Sequence, residues 1–174
     1  MWYADRMTPY LIVAEIKKLL GGLNGWLDKA VAHAEAKKFD PNTLLTARLA
    51  PDMFPLVRQI QATCDQAKYA AARVAGKEVP SHPDTETTLA ELRARVASVS
   101  AFLDTFSAKD FEGADDRSVT TPRWEGKSMT ATNYLLEHAM PNFFFHLMTT
   151  YAILRHNGID VGKRDFLGAL TWRA

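Results

Sequence analysis

Near the C-terminus, the stretch "MPNFFFHLMTTYAILRHNG", Met140 to Gly158, sets histidines and an asparagine at spacings that could hold a metal ion. Asn142 and His146 are four residues apart. On a helix that separation lets two side chains converge on one ion, as paired histidines do in zinc sites. Counting about 100° per residue from Asn142, His146 falls at about 40°, His138 and His156 at about −40° and Thr149 at about −20°. Three histidines and an asparagine therefore share one face. Asparagine supplies a carbonyl oxygen where an imidazole would bind a borderline ion better, so zinc or nickel would be held less tightly than by a full His-x-x-x-His pair.

Two readings of His146 are open: a ligand, or an internal histidine hydrogen-bonded across a helical bundle. His138 lies near Glu137 and Lys127, which point to solvent at that end, and His156 beside Arg155 is placed to meet the C-terminal helix dipole. Pro141 should bend the helix between His138 and Asn142, freeing the carbonyl of Glu137 and opening space beside Asn142. Asp52, between Pro51 and Pro55, is the other acidic residue of interest, and an ion pair with Arg48 one turn earlier is its simplest role.

These residues need helices to position them. Thr8 is an expected N-cap with Pro9 at the first helical position, and Ile12, Ile16, Leu19, Leu20, Leu23, Trp26, Leu27 and Ala30 then follow helical spacing. Gly21, Gly22 and Gly25 weaken that helix by on the order of 1 kcal/mol each; close helix packing or room for a partner would account for them. A second helix is expected from Leu44 to about Ala75, with Leu49, Met53, Leu56, Val57, Ile60 and Cys64 inward and a kink or break near Asp52. "GKEVPSHPDTE" connects to a third helix with a seam of Leu89, Leu92, Val96, Val99, Leu103 and Phe106.

From Phe111 to Met129 the helical period is lost, and a small hairpin is expected there, Arg117 to Thr121 against Trp124 to Met129. The last helix should start near the N-cap Thr130 and end at Gly158, which can adopt the left-handed conformation. Phe143, Phe144 and Phe145 point three ways, so at least one must leave the core of a simple bundle. A homodimer that buries the same apolar patch twice is the expected outlet, and a ligand pocket lined by one Phe is the alternative.

The chain has 174 residues, 47% of them hydrophobic, and its 21 basic against 20 acidic residues give a net charge of +1. That suits one globular domain, 1–174, and supplies no long-range field for nucleic acid or an anionic membrane surface. Cys64 is the only cysteine, so no internal disulfide forms, and its place on the apolar side of the second helix makes it an inert core thiol. Asp5 and Glu15 flank a short apolar run that does not read as a signal peptide, and no apolar run reaches the roughly 18 residues of a membrane span. A cytoplasmic protein is expected. There is no phosphate-binding glycine loop after a strand, no serine elbow and no cysteine motif, and the tail "GKRDFLG" reads as a solvated surface segment.

The runs "ARLAPDMFPLVRQIQATCDQAK", "DTETT" and "NYLLEHAMPNFFFHLMTTYAILRHNGIDVGKRDFLG" resemble a bacterial family of unknown function related to the DinB-like superfamily, nearly end to end. The resemblance implies an all-α DinB-like four-helix bundle with a long crossover between helices three and four, often dimeric. It also implies a divalent metal held by three histidines in better-known superfamily members, some of them similar to transferases or isomerases that use a low-molecular-weight thiol. In the superfamily pattern one histidine sits on helix two and a His-x-x-x-His pair on the last helix. Here His146 keeps the second place of the pair, Asn142 takes the first, and Asp52 lies near the helix-two position.

Two function classes follow. One is a metal-dependent enzyme of thiol-transferase or hydrolase type, in which His146, Asp52 and Asn142 would hold Zn, Ni, Mn or Fe, and Arg48, His138 and Tyr151 would bind substrate. The other is a non-catalytic dimeric bundle that binds a small molecule or a protein partner.

Overall fold

A computed structural model describes residues 8–173; Asp5 of the N-terminal reading lies outside the described residues. Four long helices form the bundle: α1 (Pro9–Lys37), α2 (Leu56–Ala75), α3 (Leu89–Asp104) and α5 (Met140–His156). Between α3 and α5 the chain crosses over through two short strands and a short helix, α4 (Ala131–Asn133); α6 (Lys163–Leu167) follows α5. Helix α2 packs against α1, α3 and α5, and α1 also packs against α3 and α5. The fold is therefore the all-α four-helix bundle expected, and no described helix is long and apolar enough to cross a membrane.

Local signals explain the ends. The Thr8 hydroxyl accepts from the Leu11 amide at the start of α1. Thr88 and Glu91 cap α3 reciprocally, each side chain accepting from the other's backbone N–H. Gly158, with φ +89°, closes α5 in the left-handed conformation.

The second helix begins later than its apolar pattern suggested. Pro51 and Pro55 cannot donate to a ladder, so a 3-10 segment at Pro41–Thr46 and an irregular stretch through residue 55 precede α2. Leu49 consequently faces outward, and Arg48 donates to the Met53 carbonyl instead of pairing with Asp52. The hairpin exists in a shorter register, β1 (Ser118–Val119) antiparallel to β2 (Met129–Thr130), with Val119 opposite Met129. The glycines of α1 are not needed for close packing: an added Cβ would meet nothing within 4 Å at Gly21 or Gly25, and at Gly22 only the Asp165 carbonyl at 3.8 Å.

Helix α2 is buried on nearly every side, its Ala67, Ala70, Ala71 and Ala72 letting neighbouring helices approach. Cys64 is among its buried residues, and burial pushes the thiol up to about 12, which agrees with an inert core role. Around it lies a set of ions whose two cations, Lys68 and Arg95, are buried. Arg95 on α3, 3% exposed, donates to Asp65 at 2.9 Å, to Glu86 at 3.0 Å and to the Pro83 carbonyl, and pairs with Asp84 at 3.0 Å. Lys68 pairs with Asp65 at 2.8 Å and donates to His82 Nδ1 at 3.3 Å. These contacts clamp the connection 76–88 onto α2 and α3.

The tail is docked through Asp165 and Phe166, while Lys163 and Arg164 are exposed as expected of a surface segment. Phe166 stacks on Trp26, the Trp26 indole donates to the Asp165 carbonyl, and Lys29 holds the Asp165 carboxylate at 2.8 Å.

Replacing Arg95 with Met leaves Asp65 and Glu86 facing each other without their shared cation. The expected loss is about 2–4 kcal/mol, below the fully buried case because both carboxylates keep some water. Urea unfolding of the variant and parent measures it; a difference under about 0.5 kcal/mol would mean that the clamp contributes nothing.

Candidate functional site

The chemistry-bearing residues of α5 open onto a cleft of about 530 Å³ between α2, α5 and the crossover. Helix α2 contributes Arg58, Asp65, Gln66, Tyr69 and Arg73; the crossover contributes Arg123 and Trp124; His138, Asn142 and His146 complete it, with Phe54 at one end. A second groove of about 440 Å³ between α1 and α3 has Lys17 and Lys18 beside an otherwise mainly apolar lining that includes Tyr10, Leu103 and Phe106. Of these two, the first brings more polar groups together.

A π-helical segment, Tyr134–Ala139, joins α4 to α5 and aims His138 into the cleft. Pro141 has no amide hydrogen to give an α-helical ladder, and the wider turn accommodates it: the Met140 amide reaches back five residues to Leu135. The Asn142 side-chain amide then donates to the His138 carbonyl at 2.9 Å. The sequence predicts a bend here, and the structure has a change of helix type.

His146 Nδ1 meets the side-chain oxygen of Gln59 at 2.8 Å, and the Phe54 ring lies nearly parallel to the imidazole, 6.5 Å away. Burial, then the nearby Arg58 cation, holds the His146 pKa below the ordinary histidine value of 6.5. Burial and Arg73 do the same to His138, whose ring stacks on Tyr134 at 5.5 Å and meets Trp124 edge-on at 5.1 Å. Trp124 is half-buried by these contacts. The Arg73 guanidinium lies over the Tyr69 ring at 4.1 Å and donates to the Tyr134 hydroxyl at 3.3 Å. Asp65 is the only carboxylate in the lining, and it is already paired with Lys68 and Arg95.

Of the residues predicted from sequence, His138, Asn142 and His146 are brought together. Asp52 is exposed on the irregular stretch before α2 and is not part of the lining. Arg48 is exposed, lining a separate shallow hollow with Asn42 and Glu86. Tyr151 packs against Trp26 and Phe166 and donates to the Val161 carbonyl, so it anchors the tail rather than a substrate. His156 is exposed beyond the cleft.

The expected donor set does not fit a divalent ion. Among the described residues no group of three or more His, Cys, Asp or Glu side chains is placed to hold one. Asn142 Oδ1 and His146 Nε2 stay free of these hydrogen bonds, but with Asp52 outside the cleft the set lacks its carboxylate, and Arg58 would repel a cation as it repels a proton.

Sequence reasoning missed Arg58, Gln59, Asp65, Gln66, Tyr69, Arg73 and Arg123. A signal was present: Arg58, Ala62, Asp65, Tyr69 and Arg73 recur at helical spacing and form one stripe on α2, opposite its apolar residues.

The sequence profile of a domain of unknown function, DUF1993, matches residues 10–167. A crystal structure of a DinB family member protein from Shewanella denitrificans is similar over 95% of this chain and 94% of that chain, with 49% identity and a TM-score of 0.91. No curated protein matches.

Because the folded protein disfavours protonated His138 and His146, their contribution to stability is present above pH 6.5 and is lost as pH falls through their lowered folded values. NMR titration should place both midpoints below 6.5, and Arg58→Gln should raise the His146 midpoint while leaving His138 in place. A His146 midpoint at or above 6.5 in the parent would contradict this electrostatic picture.

Proposed function

The chain belongs to the DUF1993 family, a DinB-like helical family, and we propose that its cleft binds a small anionic molecule with an apolar or aromatic body. Of the two classes raised by the sequence, a metal-dependent thiol transferase or hydrolase and a non-catalytic binder, the second is the better supported. The observation that carries it is Arg73. This guanidinium has no carboxylate partner among the described residues; its contacts there are the Tyr69 and Tyr134 rings and the Tyr134 hydroxyl.

A cation held against aromatic faces keeps its remaining N–H donors for a ligand, and Arg is suited to a planar carboxylate. Arg123, exposed on the crossover, adds a second cation at the same cleft. Trp124 and Phe54 supply flat apolar surface beside them. With Asp65 already neutralised by Lys68 and Arg95, no free negative charge in the lining opposes an anion.

Phenylacetate is a suitable probe, since it joins a carboxylate to a ring. Calorimetry should detect its binding to the full chain, weakened by salt, and Arg73→Gln should lower its affinity about tenfold or more, the worth of a charged hydrogen bond. Absence of binding by the parent would overturn the anion reading.

Self-association belongs to the same proposal. Of the three consecutive Phe, Phe143 is buried and Phe145 is 55% exposed, with Met148 one turn on at 49%. A second copy of this chain would cover them and bury that patch twice. Light scattering at micromolar concentration should give a dimer mass that Phe145→Asp converts to a monomer; a monomeric parent would exclude it.

A further inference from the structure

Gln59 lies on α2 within the buried side of the cleft wall, 1% exposed, and both ends of its amide are engaged. The Phe54 carbonyl can only accept a hydrogen bond, so the Gln59 nitrogen, which donates to it at 3.2 Å, fixes which way the amide points. Its oxygen then faces His146 Nδ1 at 2.8 Å and can only accept. Nδ1 must carry the hydrogen. A neutral imidazole has one N–H, so Nε2 carries the lone pair, and it has no hydrogen-bond partner among the described residues. Phe54 lies nearly parallel to the ring, 6.5 Å away.

We propose that Gln59 is a positioning residue that locks His146 in the Nδ1–H tautomer, so that the cleft selects anions that also carry a hydrogen-bond donor, namely small hydroxy acids. The inference rests on the anion reading of the same cleft. The carboxylate lies on the arginine side and the hydroxyl gives its hydrogen to His146 Nε2. Arg58, Arg73 and Arg123 are donors only, so a ligand made solely of acceptors would leave Nε2 unpaired once water is displaced. Burial and Arg58 keep the imidazole neutral, and only the neutral ring has the acceptor.

Two measurements on the full chain test this. Long-range proton–nitrogen correlation spectra of 15N-labelled protein at neutral pH should show His146 with Nδ1 protonated and Nε2 not. In Gln59→Leu the shifts should move to those of a tautomer mixture, which a role confined to packing would not produce. A parent with the hydrogen on Nε2 overturns the lock. For selection, mandelate and phenylacetate differ by one hydroxyl, and mandelate should bind about fivefold to tenfold more tightly, the worth of one hydrogen bond. That ratio should fall to near unity in Gln59→Leu and in His146→Phe. Equal affinity of the parent for the two acids removes the selection alone. Failure of both to bind removes the anion reading and the selection with it, while the tautomer result still judges Gln59.

Discussion

A guanidinium that is 3% exposed cannot be left unpaired, and the rest of the molecule is arranged around meeting that demand at Arg95. Three carboxylates answer it from two directions: Asp65 from α2, and Asp84 and Glu86 from the connection that leads into α3. Burial works to raise Glu86, yet its bonds from Arg95 and Gln61 hold it below the usual carboxylate range, so it stays ionised against the core. A connection of this length would otherwise be free to move. Tied to Arg95, with His82 bridging Lys68 and Ser98, it becomes part of the wall behind α2.

The same demand sets the electrostatics of the cleft. Asp65 stands on the boundary, touching the buried ions on one side and the lining on the other. Because Lys68 and Arg95 use its charge, the cleft is left with three arginines, of which Arg58 is answered by Asp84 and Arg73 by aromatic rings. The excess of arginines over free carboxylates in the lining thus follows from how α3 is held. The overall charge of +1 gives no hint of it, since the asymmetry is local and arises from which carboxylates are already paired.

Much of the fold could be read from the chain because its signals are local. Thr8 and Pro9 start α1, Gly158 stops α5, and the seam from Leu89 to Leu103 lies along α3, with Phe106 just past its end. Where two local signals competed, the period of apolar residues misled: Leu44 to Met53 looked helical, but Pro51 and Pro55 broke the ladder and carried Asp52 and Arg48 away from the cleft. Tyr151 misled for another reason. Its neighbours Trp26 and Phe166 come from the two ends of the chain, and no spacing along one helix reveals such a contact. The stripe from Arg58 to Arg73 was legible in principle, yet a polar helix face reads as solvated until another element is known to cover part of it.

Asn142 shows why the metal reading and the observed site part company at one residue. In the pattern of the superfamily this place holds a histidine whose ring would reach toward an ion. The shorter asparagine turns back instead and donates to the His138 carbonyl, inside the stretch where Pro141 interrupts the ladder and the helix widens to π spacing. That bond uses the amide nitrogen and fixes how the side chain is turned. His146 kept its ring but gave Nδ1 to Gln59, and a ring nitrogen with a lone pair beside Arg58 is better suited to accept a ligand's hydrogen than to attract a second cation. The cleft lies between α2 and α5, and in it the side chains of Asn142 and His146 are held by hydrogen bonds within the chain, one to the backbone and one to Gln59.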